Sequence, residues 1–475
     1  MSDSDVIPHP TVEERAAVGL AARERLPREQ LGELVITPDR PSVVEVMEAQ
    51  AASRLQELIP IRHARMAVSP FTFFRGAARS MAHDIAASPH SGLRVQLCGD
   101  AHLSNFGVFA SAERRLLFDL NDFDETYPGP WEWDLKRLVA SLAVAGRSNG
   151  FPADKRRKIV RATVRRYRDA MTDFAGRSTL DVWYAHIDVD EVRALLKDKL
   201  SAKLDKKLDA GVAKARSRTS LKAFAKLAET VDGQARIISD PPLVVPARDL
   251  APGVERATLD AWVRQWLRQY RDSLSLDRDV LVDRFEFRDI ARKVVGVGSV
   301  GTRCWIVLLE GRDPEDPLFL QVKEAQESVL APFVPEDMVG DFPVGNQGER
   351  VVAGQRLMQA AGDIFLGWLR AEGLDGVPRD FYARQLRDMK GSAEVETQSS
   401  STMKTYGELC AVALARAHAR TGDPIAIASY LGDDDVAAEA LATFAEKYAD
   451  ITELDHAALL AAIEDGALEA ATEPI

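Results

Sequence analysis

Apolar residues recur at Val43, Val46, Met47, Ala51, Leu55 and Leu58, and this spacing predicts a helix over 43–58 with one buried face. A short helix over 76–87, a strand over 93–97, a polar loop and a second strand over 115–120 come next, so the polar loop follows a strand end. Helical periodicity then runs from Trp131 to Ala175 and returns over 190–232. Pro241, Pro242, Pro246 and Pro252 interrupt the chain, and beyond them the pattern changes to short apolar runs over 293–296, 303–309 and 318–322. A helix over 349–361 and strands over 365–369 and 381–386 complete this stretch. The Ser- and Thr-rich segment 397–405 reads as a loop, followed by a helix over 406–420 and a helical tail.

These changes of period divide the 475 residues into an N-terminal helical arm (1–60), a mostly helical lobe (61–284), a β-rich lobe (285–395) and a C-terminal helical segment (396–475) that packs on the helical lobe. The expected class is α+β. The arm carries no chemical signal. Apolar residues make up 46% and charged residues 28%, and no apolar run reaches the roughly 20 residues of a membrane span, which argues against a membrane protein. The charged, proline-bearing first forty residues lack a secretory core and point to the cytoplasm. Cys98, Cys304 and Cys410 stand far apart and read as buried thiols, with no disulfide framework or zinc motif. A net charge of -12 disfavours nucleic acid as a general partner. A local basic stripe through Lys197, Lys199, Lys203, Lys206, Lys207, Lys214, Arg216, Arg218, Lys222 and Lys226 is either a solvated helical face or a surface for an anionic partner.

Two constellations carry chemistry. The first runs from Cys98 through Gly99, Asp100, His102 and Asn105 to Gly107, and is followed by Asp119, Asn121, Asp122, Asp124 and Glu125 at the end of an apolar strand. Phosphoryl transfer needs oxygen ligands for Mg2+ and a carboxylate that orients the nucleophile, and two facing acidic loops supply both. The second is Gly296, Gly298 and Gly301 in G-x-G-x-x-G spacing. A dinucleotide-binding unit needs a helix directly after such glycines. Here a strand follows, and a further strand carries Lys323. A glycine-rich hairpin with a lysine on the next strand suits kinases, in which the loop backbone covers the phosphates of ATP and the lysine supplies a point charge. Glu349, early in the following helix, is the candidate partner of Lys323, with Glu324 and Glu327 as competitors. His102 either orients its loop or packs within it, and His418 reads as a core residue. Arg75 and Arg384 meet either an anionic ligand or an interlobe carboxylate. The chain contains no Walker A lysine motif, no H-E-x-x-H and no G-x-S-x-G elbow.

The loop at Gly99-Asp100-Ala101-His102-Leu103-Ser104-Asn105 resembles the catalytic loop of the kinase-like superfamily that includes aminoglycoside and choline phosphotransferases, with Cys98 in place of a histidine. That resemblance implies Asp100 as catalytic base, Asn105 and Asp122 as metal ligands, Asp119 as a rival ligand, and Asp134 as a structural aspartate of the next helix. It also implies a two-lobed protein-kinase-like fold using ATP and Mg2+, with an acceptor that is either a small molecule or a protein. The glycine loop follows the catalytic loop here by about two hundred residues, so the lobes are expected in permuted order. The helix over 409–419, or the one over 76–87, then stands where the helix before the catalytic loop belongs. Over most of its length the chain also resembles an uncharacterised bacterial family, domain of unknown function 2252, through Pro70–Gly76, the Gly99 loop, Asn121–Glu125 and the segment from Ala417 to Asp423. Two other functions share these residues: an adenylyl transferase and a nucleotide-binding pseudokinase scaffold.

Overall fold

The computed structural model describes residues 9–196, 202–373, 375–386 and 388–472, excepting the side chains of 195, 196 and 202–208. Lys197, Lys199 and the side chains of Lys203, Lys206 and Lys207 in the basic stripe lie outside that description. Helix and strand account for 53% and 16% of the chain, so the mixed α+β class holds.

The first four strands are β1 (Arg94–Leu97), β2 (Phe106–Ala110), β3 (Leu116–Leu120) and β4 (Tyr127–Pro130). β1 pairs with β4 and β2 pairs with β3, all antiparallel. The loop between β1 and β2 and the loop between β3 and β4 are therefore forced side by side, and the Asn121 N–H donates to the Asn105 carbonyl at 2.8 Å. This nesting brings the two acidic loops together across about twenty residues of chain.

After the hairpin β5 (Ala228–Val231) and β6 (Gln234–Ile237), six strands form one antiparallel sheet in the order β11-β12-β10-β9-β8-β7. They are β7 (Val244–Pro246), β8 (Glu286–Lys293), β9 (Cys304–Glu310), β10 (Pro317–Glu324), β11 (Gly367–Glu372) and β12 (Pro378–Gln385). β13 (Gly391–Ser392) then joins β2. Every residue of β10 is buried because both sheet faces are covered. Leu318, Leu320 and Val322 pack with Val263, Trp266 and Tyr270 of the helix Arg256–Asp272. Side chains alternate along a strand, so Gln321 and Lys323 face the other way, as do Tyr382 and Arg384 of β12.

The helices Glu132–Ser148, Ala153–Ala175, Ser400–Thr421 and Val436–Glu464 share one core. Several elements depart from the sequence expectations. The arm contains a further helix, Val12–Arg25; the helix expected over 43–58 stops at Ala51, and separate helices cover Ile59–Ala67, Pro70–Gly76 and Ala78–Ala86. The strand expected over 293–296 is instead Glu286–Lys293, which leaves the glycines in a loop. Residues 400–405, expected as loop, begin the helix Ser400–Thr421: Ser399 caps it by accepting the Thr402 N–H at 3.2 Å, and Met403 is fully buried. A cap and tertiary packing override the weak helix propensity of serine and threonine. The sheet and its covering helix also recruit residues before 285, in β7 and Arg256–Asp272.

Candidate functional site

One face of the helix Glu132–Ser148 builds the first acidic loop. Asp134, Arg137 and Ser141 are spaced three and four residues apart, so they line up toward the loop. The buried Asp134 carboxylate accepts the N–H groups of Cys98 at 2.7 Å and Gly99 at 3.0 Å, and lies 3.3 Å from His418 Nε2. Tyr167 and His418 are hydrogen-bonded at 2.8 Å, so His418 belongs to this buried polar chain. Gly99 has φ of 83°, and a Cβ there would lie 2.0 Å from the Glu125 carbonyl oxygen. Only glycine lets the two acidic loops approach so closely. Ser141 Oγ accepts the Leu103 N–H at 3.2 Å, completing the support from below.

Arg137 Nε donates to Asp100 Oδ1 at 2.8 Å, and His102 Nε2 stands 3.6 Å from Asp100 Oδ2. His102 Nδ1 accepts the Ser104 N–H, which puts the proton on Nε2. Burial, with Arg137 and Arg75 nearby, keeps that imidazole neutral. Burial also pushes the Asp100 carboxyl above its ordinary range, against the pull of Arg137 and Arg75. Asn105 Nδ2 donates to the Asp100 carbonyl at 2.7 Å, leaving the amide oxygen as the atom that can take a ligand.

Each aspartate of the second loop has a distinct environment. Asp119, the rival ligand, points away from the pocket and is held by Arg416 Nη2 at 2.7 and 2.8 Å, with the Leu120 and Ala360 N–H groups also bound. Its role is structural. Asp124 accepts Lys323 Nζ at 2.5 Å, Tyr382 Oη at 2.6 Å and Ser299 Oγ at 3.2 Å. Burial opposes its ionisation, but Lys323 and these hydrogen bonds hold it below the ordinary carboxylate range. Asp122 Oδ1 lies 3.9 Å from Lys323 Nζ, is buried and has no hydrogen-bond partner.

Lys323 is 2% exposed, and burial works against its charge, yet Asp122 and Asp124 keep it protonated. It stands behind Asp124, outside the residues that line the pocket. The expected partner Glu349 does not reach it. The Glu349 N–H is capped by Asn346 at 3.0 Å, and its side chain lines a different cleft with Arg94 and Arg356. One residue further round the helix Gln347–Met358, Arg350 turns inward and donates to the carbonyls of Asp124 and Gln326 at 2.8 Å and of Thr126 at 2.5 Å. Glu324 is engaged by Arg303 at 3.3 Å. A neighbouring strand's Tyr382, in register with Lys323, was not foreseen in the sequence, although strand parity would have selected it.

The glycine loop joins β8 to β9 and folds onto both acidic loops. Gly296 and Gly301 have φ of 65° and 90°. The loop carbonyls are held by the N-terminal arm and the helix that follows it: Arg54 Nη1 donates to Gly298 at 2.7 Å and to Val300, the Leu55 N–H to Gly301 at 2.8 Å, and Arg65 Nη1 of the helix Ile59–Ala67 to Gly296 at 2.5 Å. The arm thus contributes to the site, with no motif to announce it. Among the described residues, no backbone acceptor binds the N–H groups of Gly296, Val297, Gly298 or Ser299.

Asp100, Asn105, Asp122, Asp124, Gly296 and Gly298 line one pocket, together with Arg54, Arg75 and Glu125. Gly301 lies at its base through the contact with Arg54. Among the described residues no three His, Cys, Asp or Glu side chains form a metal cage. The donors at hand are the Asp122 oxygen that accepts no hydrogen bond and the Asn105 amide oxygen, a set that suits a hard cation completed by water and phosphate oxygens. No described helix is long and apolar enough to cross a membrane.

Residues 54–462 match the family model described as "Uncharacterized protein conserved in bacteria (DUF2252)", and the chain belongs to that family. No curated protein and no solved structure matches it.

Proposed function

We propose that this family member is an ATP- and Mg2+-dependent phosphotransferase with a kinase-like, two-lobed site whose lobes occur in permuted order. The observation that supports the reading is the convergence on one pocket of Asp100, Asn105, the glycine loop and a buried oxygen of Asp122 that accepts no hydrogen bond. Lys323 Nζ stands 3.9 Å from that oxygen, beyond hydrogen-bond distance, so a metal cation could complete its coordination. Asp122 and Asn105 would hold Mg2+, which neutralises phosphate charge when bound. The unpaired N–H groups of the glycine loop suit phosphate oxygens.

In this reading Asp100 orients an acceptor hydroxyl and takes its proton. The acceptor oxygen bonds to the γ-phosphorus, the bond from that phosphorus to the bridging oxygen breaks, and ADP departs with the electron pair. Arg137 fixes the Asp100 carboxylate, Asp134 fixes the loop backbone, and Lys323 fixes the second loop through Asp124 while adding positive charge beside Asp122. The acceptor is a small molecule or a protein.

The test is thermal unfolding of the wild type and Asp122→Asn with ATP, each in Mg2+ and in chelator. A Mg2+-dependent rise in the wild type that is lost in Asp122→Asn is expected, because a ligand of the native state must raise its stability. No rise at millimolar ATP refutes the assignment. Product analysis then separates phosphoryl transfer, which releases ADP, from adenylyl transfer, which releases pyrophosphate. Turnover that disappears in Asp100→Asn counts against a pseudokinase scaffold.

A further inference from the structure

Arg75 is the one arginine of the helix Pro70–Gly76, and it lines the pocket together with Asp100 and the glycine loop. A Cβ built on Gly298 would stand 3.3 Å from the Arg75 carbonyl oxygen, so this residue lies directly under the tip of the loop. Its Nε is buried without a hydrogen-bond partner, and among the described residues the guanidinium has no ion pair. The other cations nearby are all engaged. Arg54 holds loop carbonyls, Arg137 holds Asp100 and the Phe74 carbonyl, and Lys323 is paired with Asp124. Burial lowers the pKa of Arg75 while Glu396 and Asp100 raise it, and a guanidinium stays charged in proteins.

Arg75 is half-buried, its buried Nε has no hydrogen-bond partner, and a planar fork fits two oxygens of one phosphoryl group. The first acidic loop itself, from Cys98 to Gly107, contains no lysine or arginine. We propose that Arg75 donates to the equatorial oxygens of the phosphoryl group as it moves from ADP to the acceptor, a role that rests on the phosphotransferase reading. During the transfer Arg75 neither gives nor takes a proton. Asp100 receives the acceptor proton, and the bridging oxygen leaves with ADP. Arginines that stabilise such charge change turnover by about 10³–10⁵-fold.

The experiment uses the full chain with Mg2+, ADP and aluminium fluoride, a mimic of the planar phosphoryl group, read by calorimetric titration and thermal unfolding. Wild type is expected to bind Mg2+-ADP and to gain further stability when aluminium fluoride is added. Arg75→Ala is expected to keep Mg2+-ADP affinity within about threefold and to lose fluoride-dependent affinity by on the order of 10³-fold. Arg75→Lys, which retains the charge and the stem, guards against a folding defect and should recover only part of the fluoride gain. Millimolar guanidinium should restore the gain in Arg75→Ala and leave Asp122→Asn unchanged. An equal fluoride gain in wild type and Arg75→Ala overturns the proposal, as does ADP binding by the wild type with no fluoride gain. Absence of ADP binding by the wild type instead removes the nucleotide reading on which the proposal stands.

Discussion

Replacing Glu125 by glutamine should stabilise the protein at alkaline pH and leave it nearly unchanged at acid pH. The side chain lines the pocket, and Oε2 accepts the Val329 N–H at 2.7 Å. Burial pushes its carboxyl up to about 7, with Asp124 and Asp100 adding to the rise and the Val329 N–H and Arg350 opposing it. An unfolded chain releases this proton near the ordinary 4.5, whereas the folded protein keeps it to about 7. Across that window the folded state binds more protons, so stability falls as pH rises. The interval corresponds to roughly 3 kcal/mol, reduced to about 2 kcal/mol because the pocket admits water. Glutamine keeps an oxygen for Val329 and does not ionise. Urea unfolding at pH 5 and pH 8 should therefore show Glu125→Gln gaining about 2 kcal/mol relative to the wild type between the two. The same difference between variant and wild type at both pH values would refute the reasoning.

Two further substitutions test the framework of the site. Asp134→Ala strips the acceptor from the Cys98 and Gly99 N–H groups and from His418, and should cost about 3–5 kcal/mol in urea unfolding, with Asp134→Asn losing less. A loss under 1 kcal/mol for Asp134→Ala would remove it from the support of the loop. Asp119→Asn and Arg416→Met should each cost about 3–5 kcal/mol, because each leaves a buried charge unpaired, and the double variant should cost clearly less than their sum. Additive losses would show that the pair acts as two separate residues.

The two acidic loops were legible as a candidate site because they concentrate particular residue types at short spacing. Asp100, Asn105 and Asp122 stand out by type, and Gly296, Gly298 and Gly301 by the strand that follows them. The pairing of Lys323 was not legible, since any carboxylate within reach in space satisfies a lysine, and Glu349 was only the nearest one in a suitable helix. Whether the side chain of a helix's first turn faces inward depends on the rotation of that helix against its neighbours. At this helix it is Arg350 that enters the core.

The sequence by itself determined the α+β class, several of the helices and strands, and the residue types gathered in the two acidic loops and the glycine loop, because these follow from local periodicity and composition. Tertiary structure alone decided that Asp119 is locked to Arg416, that an oxygen of Asp122 is buried without a hydrogen bond, and that an arm without any motif holds the glycine loop. Those outcomes depend on contacts between residues up to about three hundred positions apart, such as Asp119 and Arg416. Only the packed core brings such residues within hydrogen-bond distance, and no short window of sequence records that meeting.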